Sequence, residues 1–200
     1  MLSRVPRTPL VVVLSGPSGV GKDAMLNHMR LIGAPYHFTV TATTRPMRSS
    51  EKHGVDYIFI SPDEFVKMKE EGEFLESAEV YGNWYGVPKP QVRQALQNGL
   101  DVIIKTDVQG AATIKRMAPQ VILVFVAPPS MHELERRLRW RLTESDESLR
   151  IRVETARLEM EQMSAFDYLV VNDNLDDAIK ELQAIISAEK CRLPPRLVRI

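Results

Sequence analysis

The chain has 200 residues, of which 44% are hydrophobic, enough for one domain or for a core with small appended subdomains. Its 26 basic and 26 acidic residues give a net charge of zero, which argues against a nucleic-acid binder or a protein of anionic membranes. No apolar run is long enough to span a membrane, residues 1–9 lack the apolar stretch of a secretory signal, and the single cysteine fits a reducing cytosol. We therefore expect a cytoplasmic protein without nucleic-acid or membrane partners.

The first predicted element is a buried strand over residues 10–14, and an amphipathic helix follows, with Met25, Leu26, Met29 and Ile32 at helical spacing. The segment between them fits the pattern G-x-x-x-x-G-K, in which backbone N–H groups surround phosphate oxygens and the lysine reaches the outer phosphates. A glycine-rich turn without a ligand is the alternative, and the flanking strand and helix disfavour it. The pattern predicts a nucleotide site formed by Gly16, Pro17, Ser18, Gly19, Val20, Gly21 and Lys22.

The residue after the loop lysine departs from this pattern. A Ser or Thr hydroxyl normally binds Mg²⁺ there, and this chain has Asp23. A carboxylate is a good ligand for a hard cation, so Asp23 is the candidate metal ligand, in an unusual arrangement.

Between residues 37 and 87 the pattern changes to short alternating segments among Gly, Pro and Ser turns. We predict strands over residues 38–41 and 57–60, and one helix over 62–71 that starts with Ser61 as its cap. This segment is interpreted as a small mixed-β insertion.

Three further apolar runs predict buried parallel strands, at residues 102–104, 121–126 and 168–171. Each precedes a helical pattern, at 108–117, 130–142 and 175–189. The alternation predicts an α/β fold with a parallel sheet and helices on both faces, whose core comprises residues 9–36, 88–129 and 158–190 of one domain.

The stretch from Ser130 to Arg157 contains seven arginines and no lysine, with a polar centre. A helical lid over residues 130–157 would fit this composition, because guanidinium groups match phosphate oxygens. The alternative is a solvated helix whose arginines pair with neighbouring glutamates, and for Arg136, Arg139 and Arg150 this alternative is preferred.

Taken in order, several motifs resemble those of guanylate kinases, from about Leu10 to about Lys190. They are T-A-T-T-R-P-M-R at 41–48, Glu51 with G-V-D-Y at 54–57, E-F-L-E at 73–76, G-N-W-Y-G at 82–86, D-V-Q-G at 107–110, A-P-P-S at 127–130 and V-N-D at 171–173. The resemblance implies a P-loop fold in which the insertion over 37–87 binds GMP and the lid closes over ATP.

For the acceptor, the resemblance implies that two arginines and two tyrosines hold the GMP phosphate: Arg45, Arg48, Tyr57 and Tyr85. It implies that Glu76 accepts hydrogen bonds from guanine N1–H and the exocyclic amine, with Thr41 and Asp107 as further contacts to the base. Without the resemblance, the tyrosines would equally suit β-core packing and Glu76 would be a surface carboxylate.

For the donor, the resemblance implies ATP across the phosphate loop with Mg²⁺ as cofactor and Asn172 near the adenine. Arg137, Arg141 and Arg152 of the lid would close on the triphosphate, and together with Lys22 and Arg45 they form the implied catalytic set. The implied reaction is ATP plus GMP to ADP plus GDP. No general base is required, because a phosphomonoester loses its second proton near pH 6.

Two positions depart from the family pattern: Asp23, and Lys105, where most guanylate kinases have an aspartate. Our hypothesis is that the two are coupled, with Asp23 binding Mg²⁺ and Lys105 contacting Asp23 or a phosphate. Two independent neutral changes are the alternative.

Two other functions remain open. Ribose-bisphosphate kinases share the Gly-Lys-Asp sequence but lack the guanine-site residues, and non-catalytic guanylate-kinase-like modules bind phosphopeptides but have a damaged phosphate loop. The tail from Leu193 to Ile200 lies beyond the resemblance and is expected to be flexible or loosely docked.

Overall fold

The computed structural model describes residues 8–49, 51–80, 82–140 and 146–200. Its strands in chain order are β1 (Val11–Ser15), β2 (Tyr36–Phe38), β3 (Ala42–Thr43), β4 (Ile58–Phe59), β5 (Phe74–Val80), β6 (Asn83–Pro88), β7 (Asp101–Lys105), β8 (Ile122–Ala127) and β9 (Tyr168–Val171). Its helices are α1 (Lys22–Leu31), α2 (Pro62–Glu70), α3 (Lys89–Gln97), α4 (Val108–Met117), α5 (Met131–Trp140), α6 (Asp146–Glu161) and α7 (Leu175–Glu189). Within these ranges no helix is both long and apolar enough to cross a membrane.

The larger sheet has five parallel strands in the order β2-β7-β1-β8-β9, so β1 is its central strand. Alternate side chains of β1 enter two separate hydrophobic clusters. Val12 and Leu14 join residues of α1, α5, α6 and α7, whereas Val11 and Val13 join residues of α3 and α4. Helices therefore cover both faces, which explains why every residue of β1 is apolar up to Ser15. The predicted parallel α/β fold is confirmed.

The smaller sheet is mixed, with the order β4-β3-β6-β5. Strands β3 and β4 run parallel, and the other pairs are antiparallel. The sheet packs on α2 through Phe65, whose ring stacks on Phe74 at a centroid distance of 4.5 Å. Ser61 Oγ accepts the backbone N–H of Glu64 at 3.2 Å and caps α2 as expected. The second sheet is the mixed-β insertion that the sequence predicts.

The predicted strand over residues 38–41 is wrong. β2 ends at Phe38 and pairs with β7 of the larger sheet, and residues 39–41 form the connection from β2 to β3. The cause is packing: Tyr36 and Phe38 lie against the core cluster that includes α1. The insertion's first strand, β3, starts at Ala42, and Gln91 of α3 anchors the connection by exchanging two hydrogen bonds with the Val40 backbone.

The arginine-rich segment forms α5 and α6. Arg136 and Arg139 pair with Glu133 and Glu135 one turn away, each at 2.7 Å, as the preferred alternative predicts for these two. Ser130 Oγ accepts the N–H of Glu133 at 3.1 Å and starts α5. Arg141 lies outside the described residues.

The C-terminal tail is docked, contrary to the expectation of a flexible or loosely docked end. The carboxylate of Glu189 is 1% exposed and receives two hydrogen bonds from Arg196, at 2.8 and 3.0 Å, and one from the Tyr168 hydroxyl. Val198 and Ile200 then pack beside the core cluster under α3. Sequence reasoning missed this contact because Arg196, which follows two prolines, belongs to no periodic pattern. Its partner, the buried carboxylate of Glu189, lies in a different element, α7.

We predict that Arg196→Met lowers the free energy of unfolding by about 3 kcal/mol, because it removes both guanidinium hydrogen bonds from the buried Glu189 carboxylate. The matched control is Arg192→Met, since Arg192 is 52% exposed and 3.8 Å from the same carboxylate, and should cost less than about 0.5 kcal/mol. Urea unfolding measures both variants. Equal stability of the two would show that the pair of Arg196 with Glu189 does not stabilise the fold.

Candidate active site

A cavity of about 450 Å³ opens where the carboxyl ends of β1 and β7 meet the smaller sheet. Parallel strands present their carboxyl ends at one edge, and loops from separate parts of the chain therefore converge there. The structure brings most of the predicted site residues to the wall of this cavity: Gly16, Pro17, Ser18, Gly19, Val20, Gly21, Lys22, Asp23, Thr41, Arg48, Tyr57, Glu76, Tyr85, Asp107 and Arg152.

Of the three glycines with positive φ in the phosphate loop, two lie against the end of the larger sheet. At Gly16 (φ 133°) a Cβ would lie 2.2 Å from the carbonyl oxygen of Val126 in β8. At Gly21 (φ 101°) a Cβ would lie 2.3 Å from the side-chain nitrogen of Asn172. Any other residue at either position would be strained, and at position 16 it would also push the loop away from β8. The loop is therefore held tightly against the ends of β8 and β9, at the start of α1.

Lys22 is positioned by the loop that it serves. Its Nζ donates to the carbonyl oxygens of Gly16 and of Pro17, the latter at 3.0 Å. Burial lowers the pKa of Lys22 to about 8, and the charges of Glu159 and Asp23 partly offset this effect. A phosphate group would oppose the effect of burial and favour the charged ammonium, so this side chain is suited to an anionic ligand.

The predicted acceptor-phosphate residues form a second cationic group. The rings of Tyr57 and Tyr85 lie 6.0 Å apart, and the guanidinium of Arg45 lies 5.4 Å from the Tyr57 ring. Glu51 fixes the arginine by accepting from Arg45 Nη2 at 2.7 Å, and it also accepts the backbone N–H of Arg48 at 2.9 Å. The hydrogen bond to Glu51 raises the pKa of Arg45, with a smaller contribution from Tyr85. Glu51 therefore organises both arginines.

Glu76 lies deeper, next to Thr106, whose hydroxyl donates to its Oε1 at 3.2 Å. Burial raises the pKa of Glu76 to about 7, and the nearby charge of Asp107 adds to the shift. Gly110 permits this approach, because a Cβ there would lie 2.1 Å from Thr106 Oγ1 and 3.1 Å from Glu76 Oε2. A half-buried carboxylate with a perturbed pKa in a cavity is suited to accept hydrogen bonds from a ligand.

Asp107 has a structural role beside its predicted one. Its Oδ1 accepts the backbone N–H of Gly110 at 2.7 Å and caps α4. The carboxylate is exposed at the cavity wall, and a carboxylate has acceptor sites for more than one partner. Capping and a contact to a ligand are thus compatible.

Asn172 and Arg137 support the phosphate loop directly. Asn172 is 5% exposed and donates through Nδ2 to the carbonyl oxygen of Val20 at 2.8 Å. Arg137 donates to the carbonyl oxygen of Asn172 at 3.0 Å and to Glu133 at 2.7 Å. Both line a second cavity of about 370 Å³ on the far side of Gly19 and Gly21. Their predicted contacts to ATP stay predictions.

Sequence reasoning missed two residues of the cavity of about 450 Å³ that the phosphate loop lines. Glu159 of α6 accepts the backbone N–H of Ser18 in the phosphate loop at 3.3 Å, and burial raises its pKa while the charge of Lys22 opposes this. Thr106 positions Glu76, as described above. A lone glutamate in a charged helix and a lone threonine at a strand end give no pattern that could have revealed either residue.

The two residues that depart from the family pattern are in contact. Lys105 Nζ donates to Asp23 Oδ1 at 2.5 Å. The contact that the coupling hypothesis requires is therefore present.

The residues at this site fit Mg²⁺. Within the described ranges no group of three or more acidic, histidine or cysteine side chains could hold a metal ion without further ligands. Mg²⁺ is commonly bound by one or two carboxylates together with substrate phosphates, and the carboxylate of Asp23 is 61% exposed on the wall of the cavity that the phosphate loop lines.

Comparison with known proteins agrees with this geometry. The sequence model described as "Guanylate kinase" matches residues 8–189. The chain belongs to the guanylate kinase family. It is 45% identical to a guanylate kinase of Clostridium tetani over 92% of this chain and 88% of the relative. It is 43% identical to guanylate kinase 2, chloroplastic/mitochondrial, of rice (Oryza sativa subsp. japonica), over 98% of this chain and 70% of the relative. The crystal structure of guanylate kinase from Anaplasma phagocytophilum aligns with a TM-score of 0.77 at 31% identity, covering 96% of this chain and 91% of that chain.

We predict opposite effects of Glu76→Gln on stability and on GMP use. The pKa of Glu76 in the folded protein lies above the unfolded value of 4.5, so the folded state holds this proton more tightly. Stability conferred by the protonated form is therefore lost as the pH rises from 4.5 toward 7. Above pH 7 the ionised carboxylate destabilises the fold. The variant should melt about 3–6 °C higher than the wild type at pH 8 and at nearly the same temperature at pH 4.5.

The same variant should lose roughly 100-fold in kcat/KM for GMP at pH 8, because an amide cannot accept both guanine donors. In the wild type, the affinity for guanosine should fall as the pH drops below 7 and Glu76 takes up a proton. Guanosine is the control ligand, since it has no phosphate that titrates in this range. A guanosine affinity that is constant between pH 5.5 and 8 would refute the assignment of Glu76.

Proposed function

We propose that this protein is an ATP-dependent guanylate kinase that converts ATP and GMP into ADP and GDP. Its membership of the family over nearly the whole chain supports the assignment. The observation that carries it is one cavity in which the phosphate loop with Lys22 faces a carboxylate, Glu76, suited to guanine. A donor of phosphoryl groups and a purine acceptor can therefore meet end to end.

The chemistry follows from placement and charge. The attacking oxygen belongs to the GMP phosphate, which is already ionised near neutral pH, so no side chain has to remove a proton. The residues align two phosphates and neutralise the charge that spreads over the transferring group. Lys22 and the loop N–H groups hold the donor, while Arg45, Arg48, Tyr57 and Tyr85 hold the acceptor phosphate.

Mg²⁺, which Asp23 would hold together with the ATP phosphates, would neutralise charge on the β- and γ-phosphates. Arg137 and Arg152 are placed for a similar task, one beside the loop at Val20 and the other on the cavity wall. Closure of the segment that carries them would exclude water and so limit hydrolysis of ATP.

Base selection rests on Glu76, with Thr41 and Asp107 in the same cavity. Guanine presents two adjacent donors, N1–H and the amine, and one carboxylate can accept both. Adenine has no N1–H and would leave the charge of Glu76 without its partners, which is costly in a half-buried site.

We further propose that the reaction takes place in the cytoplasm. The single cysteine, Cys191, is exposed and unpaired, as suits a reducing compartment. Fractionation of the source cells would test this, and enrichment of the protein outside the cytosolic fraction would contradict it.

The test of function is a coupled assay with Mg²⁺ and ATP and with GMP, AMP or a ribose bisphosphate as the acceptor. We expect ADP to form with GMP at least 100-fold faster than with the other acceptors. Lys22→Met should abolish this turnover, because the donor phosphates lose their buried cation. Lys67→Met is the control, since Lys67 is 74% exposed on α2 and pairs loosely with Glu71.

Consumption of a ribose bisphosphate in place of GMP would instead assign the protein to that related group of kinases. Binding of a phosphopeptide without turnover of any acceptor would identify a non-catalytic module. Either result would overturn the proposal.

A further inference from the structure

Lys105 is the last residue of β7, and the parallel register places it opposite Leu14 of β1, two residues before the phosphate loop begins. Its side chain is 27% exposed and lines the same cavity as the phosphate loop. Fold topology alone therefore puts an ammonium group next to the loop that holds the donor.

The same ammonium group also reaches the acceptor side. Its Nζ lies 5.9 Å from the ring centroid of Tyr57, which itself lies 6.0 Å from the ring of Tyr85. On the donor side, the same Nζ pairs with Asp23, the residue that follows the loop lysine. Lys105 thus stands between the donor loop and the predicted phosphate site of the acceptor.

We infer that Lys105 is a further catalytic residue of the transfer, whose ammonium group contacts the phosphate of the acceptor GMP, and that Asp23 positions it. The inference rests on the proposed function, because it assumes that GMP is the acceptor.

Two features support a contact to phosphate. An ammonium group has three N–H donors, and among the described residues one of them is used, in the hydrogen bond to Asp23 at 2.5 Å. The remaining donors belong to a side chain on the cavity wall, where Arg48 and Tyr57 also lie. An ammonium–phosphate hydrogen bond is charge-assisted and is among the stronger contacts that a lysine can make.

The ion pair with Asp23 is better suited to position the Lys105 side chain than to stabilise the fold. Asp23 is 61% exposed, and ion pairs as exposed as this contribute little to folding. A flexible lysine side chain, however, loses much conformational freedom when it binds a ligand, and a fixed carboxylate in the first turn of α1 reduces that loss. The carboxylate can accept from Lys105 and bind a cation at the same time, since it has several acceptor sites.

The experiment measures binding of GMP and of guanosine by calorimetry, without ATP and without a divalent cation. Lys105→Met should weaken GMP binding about tenfold or more and leave guanosine binding unchanged, because only GMP carries the phosphate. Lys180→Met is the matched control: Lys180 forms an equally simple pair with Asp177 on the exposed surface of α7, and its loss should change neither affinity. Thermal melting of both variants should remain within about 2 °C of the wild type.

An unchanged GMP affinity in Lys105→Met would overturn the inference while leaving the proposed function intact, provided that the wild type makes GDP. An equal loss for GMP and guanosine would also overturn it, because that would mean a distorted pocket. Failure of the wild type to phosphorylate GMP would instead refute the proposed function.

A second set of variants tests the role of Asp23. Lys105→Asp places a carboxylate opposite Asp23, and the two should repel each other and the phosphate, so GMP affinity should fall further than in Lys105→Met. Adding Asp23→Ser removes the repulsion, and the double variant should bind GMP about tenfold more tightly than Lys105→Asp alone. Asp23→Ser alone should weaken GMP binding, because it leaves the Lys105 side chain without its positioning partner; an unchanged affinity in this variant, or losses of the two single variants that simply add in the double variant, would overturn the positioning role.

Discussion

The structure depends on one steric constraint, the contact of the phosphate loop with the ends of β8 and β9. Gly16 lies against the carbonyl oxygen of Val126, and Gly21 lies against Asn172. These contacts fix where the backbone N–H groups of the loop point. Because β1 is the central strand, the ends of β7 and β8 stand on either side of the loop, and both contribute to the site. A shift in the packing of β8 would therefore move the phosphate site as a whole.

The charged forms of Lys22 and Glu76 reduce the stability of the fold. Burial lowers the pKa of Lys22 to about 8 and raises that of Glu76 to about 7, so each charged form is disfavoured by its surroundings. Under the proposed function, the ATP phosphates would supply a partner for the ammonium group, and two guanine donors of GMP would supply one for the carboxylate. A wrong acceptor base would leave the buried charge of Glu76 without hydrogen-bond donors, and the cost of burying that charge would therefore become selectivity for guanine.

Much of this could be predicted from the sequence, because local patterns carry it. Apolar runs predicted four of the five core strands, and the strand and helix predicted on either side of the phosphate loop are present as β1 and α1. Features set by tertiary contacts could not be predicted in this way. The strand predicted over residues 38–41 is wrong because a pattern does not name its partner strand. The docking of Arg196 on Glu189 and the contact of Glu159 with the loop likewise join residues with no shared motif.

The two departures from the family pattern show how position and charge are related in such a site. Asp23 and Lys105 are 82 positions apart in sequence, yet the parallel pairing of β1 with β7 makes them neighbours. A carboxylate at position 23 would repel a second carboxylate at 105, and an ammonium group at that position removes the conflict. The charge at position 105 is thus constrained by the charge at position 23. Asp23 or Lys105 considered alone would therefore suggest a damaged site, whereas the two residues together are electrostatically compatible.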